Sequence, residues 1–390
     1  MASAENTRPY IRKRMKVLIS GGHLTPALAV IDYAREHFPE DQFVFAGRLY
    51  SQPKLKQRSW EKQEVSKRDV PFVAFHSPKL DGQPPWRLPL TLINLMRAVG
   101  RARQLLTQYK PDIFVSFGGF LGLPLAIAAK TLGIPVLTHE QTRTGGVANQ
   151  WIARFADVVA ISFPESKKYF PSQKVQLTGN PLRTSLFIKH TPEPEWLTSP
   201  HPSKPLLYVT GGNQGSQCIN ILVQEALPQI LEDWWVIHQC GSPTNLMNYK
   251  KSLEKTRSTL PRSLQDDYYI REWVTERELA WIYQHAGGVL TRSGANTVSE
   301  LVAAALPAVF IPLPQAHHDE QRLNAEAVVE AGAGLLLPQK EASVETLVET
   351  LKTFKKKMRT MQRHAEALQD NLPADPTTQL YQLIQQLAHK

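Results

Sequence analysis

Both halves of this chain open on the same pattern: an apolar run, a diglycine, then a helix-forming stretch. L-I-S-G-G-H occupies 18–23 and Y-V-T-G-G-N-Q-G-S occupies 208–216. A diglycine at the carboxyl end of a strand allows a sharp backbone turn and leaves unpaired N–H groups at the next helix start. Short apolar runs alternate with amphipathic stretches throughout, the mark of βαβ units and parallel sheets. Strands are expected at 16–20, 43–46, 113–117, 135–138, 158–161 and 175–178. A second series is expected at 206–209, 235–239, 268–270, 288–290, 308–311 and 334–337. Between them lies the proline-rich stretch T-P-E-P-E-W-L-T-S-P-H-P-S-K-P, the best linker candidate. A chain of 390 residues suits two α/β domains at about 100–200 residues each. Neither diglycine is a full G-x-G-x-x-G, and no Gly-Lys-Ser/Thr follows, so dinucleotide and P-loop readings are weak.

Charge narrows the partners. The net charge is +10, and residues 1–110 carry all of it, with 19 Lys/Arg against 9 Asp/Glu. Such asymmetry points to an anionic membrane surface or a nucleic acid. Residues 1–14 are basic without an apolar core, so they read as a disordered leader rather than a secretory signal. The two cysteines, Cys218 and Cys240, give neither a disulfide framework nor a zinc spacing. The longest apolar stretch, 113–129, is too short and too broken by Gly and Pro to span a bilayer.

The segment R-S-G-A-N-T-V-S-E, 292–300, follows the apolar run 287–290. It reads as strand, glycine turn, then a helix beginning near Thr297. The free N–H groups and dipole of such a turn attract a phosphate. Glu300, inside that helix, suits sugar hydroxyls better than phosphate, as acidic residues serve ribose in dinucleotide folds. A nucleotide-sugar site is one reading; an ordinary strand–turn–helix is the other.

Other polar clusters follow strand ends. His23, after Gly21 and Gly22, is placed for general-base work or for capping a helix. His139, Glu140, Gln141 and Arg143 crowd the segment 137–151, as substrate contacts or as a hydrogen-bonded loop. Arg183 in G-N-P-L-R-T is an anion ligand or a surface arginine. In P-Q-A-H-H-D-E-Q-R-L-N-A, 314–325, adjacent side chains diverge, so hydroxyl recognition by Asp319, Glu320 and Gln321 is favoured over metal binding at His317 and His318. Finally, 84–103 interleaves Trp86, Leu88, Leu90, Leu92, Ile93, Leu95 and Met96 with Arg87, Arg97, Arg101 and Arg103. That mixture suits a membrane interface or a core helix with an arginine face. Nucleic acid is disfavoured because no stacking platform or recognition motif accompanies the charge.

Taken together these segments resemble the MurG family of N-acetylglucosaminyltransferases, from about Met15 to Gln339. The most specific pieces are F-G-G-F-L-G-L-P (117–124), G-I-P-V-L-T-H-E-Q (133–141), G-N-P-L-R-T, G-G-N-Q-G-S, R-S-G-A-N-T-V-S-E and D-E-Q-R-L-N-A. The resemblance implies an α/β GT-B fold, two Rossmann-like domains with parallel sheets facing across a cleft. It places an acceptor and membrane-associating domain at 15–186, a linker at 187–205 and a donor domain at 206–390, with the last helix returning to the first domain. The donor would be UDP-GlcNAc, held by Gly212, Asn213, Gln214, Gly215, Val274, Ala295, Asn296, Thr297, Glu300, Glu320, Gln321 and Arg183. The acceptor would be lipid I, the undecaprenyl-diphosphate-linked MurNAc-pentapeptide, at Gly21, Gly22, Gly118, Gly119, Glu140, Gln141 and Thr142. His23 would be the catalytic base. Trp86, Arg87, Leu88, Ile93, Arg97 and Arg101 match the family's membrane surface in place. The implied product is lipid II for peptidoglycan, made at the cytoplasmic face of the membrane by a peripheral enzyme. No metal or other cofactor is expected, since D-x-D is absent, and other cell-wall synthesis proteins are possible partners.

Three departures stand against the family pattern. The family's G-G-T-G-G-H is shortened to Ser20-Gly21-Gly22-His23, Thr142 replaces the Asn of H-E-Q-N, and Asn213 replaces the Ser of G-G-S-Q-G. They keep alternatives open: a GT-B enzyme with another lipid acceptor, a UDP-GlcNAc 2-epimerase, or a non-catalytic nucleotide-sugar-binding protein.

Overall fold

The computed structural model describes residues 14–52, 57–78, 86, 88–188, 190–198, 203–212, 215–243, 247–314, 319–373 and 375–390. Apart from Arg14, the basic leader lies outside them, as do Arg87, Asn213, Gln214, His317 and His318. The first half runs β1 (Lys16–Ser20), α1 (Leu24–His37), β2 (Gln42–Gly47), β3 (Tyr50–Gln52), β4 (Gln57–Arg58), α2 (Trp60–Ser66), β5 (Phe72–Ala74) and α3 (Leu88–Tyr109). It continues through β6 (Ile113–Ser116), α4 (Gly122–Thr131), β7 (Val136–Glu140), α5 (Val147–Ile152), β8 (Val158–Ile161) and β9 (Val175–Leu177). The second half runs β10 (Leu206–Thr210), α6 (Gln217–Asp233), β11 (Trp235–Gln239), α7 (Tyr249–Thr259), α8 (Arg262–Gln265), β12 (Tyr268–Arg271), α9 (Glu276–His285) and β13 (Ala286–Thr291). It ends with α10 (Ala295–Ala303), β14 (Ala308–Phe310), α11 (Glu320–Glu330), β15 (Gly334–Leu336), α12 (Val344–Asp370) and α13 (Pro376–Ala388).

Among the described residues, one sheet has the order β5-β2-β1-β6-β7-β8-β9 and another β12-β11-β10-β13-β14-β15. Every neighbouring pair in both sheets is parallel. In each, the first strand is central and the order reverses beside it. This is the doubly wound pattern, whose switch point forms a crevice beyond the strand carboxyl ends. In the first domain that crevice lies past β1 and β6; in the second, past β10 and β13. The diglycines and R-S-G-A-N-T therefore all emerge at switch points.

Each sheet is covered on both faces, which is why its strands read as continuous apolar runs. The β1, β2 and β6 residues Val17, Ile19, Phe45 and Val115 pack with α1 and α13 on one face, while Leu18, Val44 and Phe114 pack with α3 and α4 on the other. In the second domain, α6 and α12 cover one face, and α9, α10 and α11 the other. The final helix leaves the second domain: Leu380, Tyr381, Ile384 and Leu387 join the core containing Ile31 and Ala34 of α1. Thr377 fixes that return, its Oγ1 accepting from Leu182 N at 3.2 Å and donating to Leu182 O at 3.1 Å.

Three expectations shift. The helix after R-S-G starts at Ala295, not Thr297, because Gly294 in extended backbone already serves as its N-cap. Strand β7 runs on to Glu140, so His139 is a strand residue, 1% exposed, and not part of a loop facing substrate. Its Nε2 pairs with Gly179 O at 3.1 Å and Ser162 Oγ at 3.3 Å. The short strand β5, at a sheet edge, and the β3–β4 hairpin have no strong apolar alternation to announce them. The proline-rich stretch is itself packed: Leu197 is buried in the second domain's core, with Trp196 against it.

Candidate functional site

The shortened glycine turn of the first domain closes directly on a second one. Gly118 and Gly119 have φ of +79° and +74°, a region that favours glycine. A Cβ on Gly22 would sit 2.2 Å from Gly118 O, so the two turns touch backbone to backbone and neither tolerates a side chain. His23 N donates to Phe117 O at 3.0 Å, which fixes the imidazole at the mouth of this double turn. His23 occupies the N-cap of α1, yet its side chain makes no capping bond. The capping alternative therefore lacks its hydrogen bond. Burial lowers the imidazole pKa below its ordinary 6.5, while the Glu140 carboxylate pulls it back up.

Glu140 organises the next loop. Its Oε1 accepts from Thr142 N (2.9 Å) and Thr142 Oγ1 (2.6 Å), and its Oε2 from Gly146 N (2.7 Å) and Asn149 Nδ2 (3.1 Å). Four such contacts fix the orientation of this buried carboxylate and satisfy its oxygens. Thr142, the departure from the family's Asn, is bound into this arrangement. Gln141 behaves differently. It is 4% exposed, its Oε1 has no partner, and it lines the cleft. A buried, unpaired amide oxygen facing a cavity awaits a donor.

Across the cleft, α6 and α10 aim their N-termini at the same space. Gly211, Gly212, Gly215 and Ser216 line it beside α6, and Gly294, Ala295, Asn296 and Thr297 beside α10. The first-turn N–H groups and positive dipole ends make an anion cradle. Arg292 braces the cradle: its Nη1 donates to Ile311 O (2.8 Å) and Pro312 O (3.1 Å), and its Nε to Ser216 Oγ (3.2 Å). Asn296 accepts from Asn180 Nδ2 at 3.1 Å, a contact between the domains.

Glu300, 5% exposed in the second turn of α10, accepts from Arg183 Nη2 at 2.8 Å and Tyr283 OH at 3.3 Å. Arg183 also reaches Glu276 at 3.2 Å, which α9 presents from its first turn behind a Thr275–Glu278 capping box. Arg183 is thus no free surface arginine. Burial opposes its charge, but Glu300 and then Glu276 more than offset that and hold its pKa above the ordinary value. Glu320 begins α11 just after Asp319, whose φ is +56°. Burial, then the Glu140 charge, raises the Glu320 carboxyl pKa to about 7. Gln321 is anchored by Leu313 N at 3.0 Å and by Ser293 Oγ, which donates to its carbonyl at 2.6 Å.

One cleft of about 960 Å³ gathers His23, Gln141, Arg183, Gly212, Gly215, Ala295, Asn296, Thr297, Glu300, Glu320 and Gln321. Gly21, Gly22, Gly118, Gly119, Glu140 and Thr142 stand behind its first wall rather than lining it. Val274 is buried in the second domain's core. Trp86, Ile93, Arg97 and Arg101 lie apart on or beside α3, and the Leu88 side chain is outside the described residues. Ser216, Gln217, Cys218, Arg292 and Gln339 also line the cleft and carried no assigned role. Arg292 heads a quoted motif and was legible; Gln339 sits in a turn after the last strand, with no motif to mark it.

Family models described as the glycosyltransferase family 28 N-terminal domain and C-terminal domain match residues 20–161 and 206–380. A protein of Marinobacter nauticus is 33% identical over 357 residues, 90% of this chain and 91% of that one. One of Clostridium perfringens is 30% identical over 349 residues, 88% and 91% of the two chains. Both are named UDP-N-acetylglucosamine–N-acetylmuramyl-(pentapeptide) pyrophosphoryl-undecaprenol N-acetylglucosamine transferase. The crystal structure of Acinetobacter baumannii MurG superposes with a TM-score of 0.69 at 24% identity, covering 96% of this chain and all of that one. The calicheamicin glycosyltransferase CalG4 gives 0.63 at 15% identity, covering 97% and 99%, and shares the fold. With two doubly wound domains, a cleft between their switch points and these matches, the chain belongs to the MurG family within glycosyltransferase family 28.

Proposed function

We propose that this glycosyltransferase moves GlcNAc from UDP-GlcNAc to the muramoyl 4-hydroxyl of lipid I, giving lipid II with inversion at the anomeric carbon. The observation that carries the assignment of roles is the cleft itself. His23 and the unpaired Gln141 line one wall, and two helix N-termini with Glu300 and Gln321 line the other. The diphosphate of the donor lies against α10 and the Gly212–Gly215 turn, the ribose hydroxyls meet Glu300, and the GlcNAc hydroxyls meet Glu320 and Gln321. The acceptor enters from the His23 side. The attacking oxygen bonds to the anomeric carbon as the bond to UDP breaks. The neutral imidazole of His23 takes the hydroxyl proton; its lowered pKa keeps it unprotonated near pH 7. Negative charge grows on the leaving diphosphate, where the helix dipoles of α6 and α10 stabilise it.

Membrane contact belongs to the same reading. No described helix is long and apolar enough to cross a membrane, but α3 exposes Leu90, Leu92, Ile93 and Met96 by 50–69%. Trp86 beside it is 78% exposed. Arg97 and Arg101 follow on the same helix, so an apolar wedge with basic neighbours faces outward. This surface would seat the enzyme on the anionic cytoplasmic leaflet, where a lipid-linked acceptor resides.

The acceptor is tested by offering labelled UDP-GlcNAc with lipid I or with diacylglycerol in detergent. Label in lipid II alone supports the assignment. Label in diacylglycerol, or UDP-GlcNAc epimerised without acceptor, would replace it.

A further inference from the structure

We infer that Trp60 is a nucleobase-stacking residue, so that the base of the donor nucleotide is held between the two domains. This rests on the donor reading above and extends it. Trp60 opens α2 in the first domain, and Trp273 lies in the turn between β12 and α9 in the second. Their ring centroids are 4.9 Å apart and the planes are inclined at 55°. The tilt leaves each indole with a face the other does not cover, and Trp60 is 37% exposed; the Lys67 ammonium reaches over its ring at 5.7 Å from the centroid, a contact that an incoming base would displace.

Both rings line a cavity of about 270 Å³ whose wall includes Arg183, Thr275 and Glu276. Thr25 and Arg183 line this cavity and the main cleft alike, so the smaller space opens off the larger one there. Its position follows the order of groups in a nucleoside diphosphate. The phosphates take the α10 N-terminus, and the ribose takes Glu300 one turn further on. Arg183 bridges Glu300 at 2.8 Å and Glu276 at 3.2 Å, and both Arg183 and Glu276 line the smaller cavity. The next group out from the ribose is the base, and the next space along this line is the cavity under the two tryptophans. A flat π-face is what an aromatic side chain recognises without needing a particular hydrogen-bond pattern.

Trp60 comes from the acceptor domain. A base stacked on it ties donor binding to contact between the domains, alongside the Arg68–Glu276 approach of 3.7 Å. The donor then helps to set the width of the cleft that the acceptor enters.

The test compares the affinities of UDP and of inorganic pyrophosphate for the full-length protein and its Trp60→Ala, Trp60→Phe and Trp273→Ala variants by calorimetry. Loss of one stacking face predicts that Trp60→Ala weakens UDP at least about fivefold. Pyrophosphate, which has no base, keeps its affinity, and Trp60→Phe retains most of the UDP affinity. Unchanged UDP binding in Trp60→Ala overturns the inference. So does an equal loss for UDP and pyrophosphate, which would make Trp60 a strut between the domains. Failure of the wild-type protein to bind UDP would instead overturn the donor reading itself.

Discussion

Replacing Arg183 by methionine removes the cation from a buried pair and leaves the Glu300 carboxylate with Tyr283 OH as its remaining hydrogen-bond partner among the described residues. The Glu300 and Arg183 side chains are 7% and 17% exposed, so solvent screens little of the interaction. At 2.8 Å, an effective dielectric of about 20 gives roughly 6 kcal/mol of attraction. Desolvation takes back part of it, and orphaning one partner of a buried pair costs about 3–5 kcal/mol. The Glu276 contact adds little, since that side chain is 35% exposed. With an unfolding entropy of about 2.1 cal/mol/K per residue, a loss of about 3 kcal/mol over this chain lowers Tm by about 4 °C. The assay is calorimetric melting, without ligand, of wild type, Arg183→Met, Glu300→Gln and the double variant. The double variant should recover more than half of the Arg183→Met loss, because no buried charge is then left alone. A shift under about 1 °C for Arg183→Met, or no recovery in the double variant, would show that the buried Arg183–Glu300 pair does not carry this stability.

Two further outcomes follow from the site and from α3. The Glu320 carboxyl, with its pKa raised to about 7, is largely neutral at pH 6 and ionised at pH 8. The carboxylate then repels the donor diphosphate, so the KM for UDP-GlcNAc should rise across that interval in wild type and stay flat in Glu320→Gln; identical profiles would contradict this. Ile93→Glu with Met96→Glu should lower partitioning onto anionic vesicles by about tenfold or more, the worth of one or two inserted apolar side chains. Transfer to a detergent-dispersed acceptor should be unchanged; undiminished vesicle binding would exclude α3 as the contact.

Much of the fold was legible because a doubly covered parallel sheet writes its strands as apolar runs. Each of the twelve expected strands has a counterpart within two residues at either end. What escaped was local: β5 has three residues with little burial to demand an apolar pattern. His139 and Glu140 read as polar loop because period and hydropathy carry no sign that a buried polar pair will find partners in Gly179, Ser162 and Asn149. The cleft was legible where glycine turns mark its lining, as at Gly212, Gly215 and the R-S-G turn. Contacts made only after two domains meet left no trace in either segment. Arg183 could be seen as an anion ligand, but its pairing with Glu300, 117 residues away, could not. Trp60 and Trp273 likewise become neighbours only through domain packing.

The measurement that bears most directly on acceptor and base is the transfer of labelled GlcNAc from UDP-GlcNAc to lipid I by wild type and by His23→Ala, across pH 5.5 to 8.5. Wild type should make lipid II, at a rate that falls on the acid side as His23 becomes protonated at a pKa below 6.5. Loss of a general base predicts a decrease of about 10²–10⁴ in His23→Ala, with UDP affinity retained and the acid limb gone. A His23→Ala enzyme that makes lipid II at the wild-type rate with the same pH profile would contradict the assignment of the base. A wild type that binds UDP-GlcNAc and forms no lipid II would exclude lipid I as the acceptor.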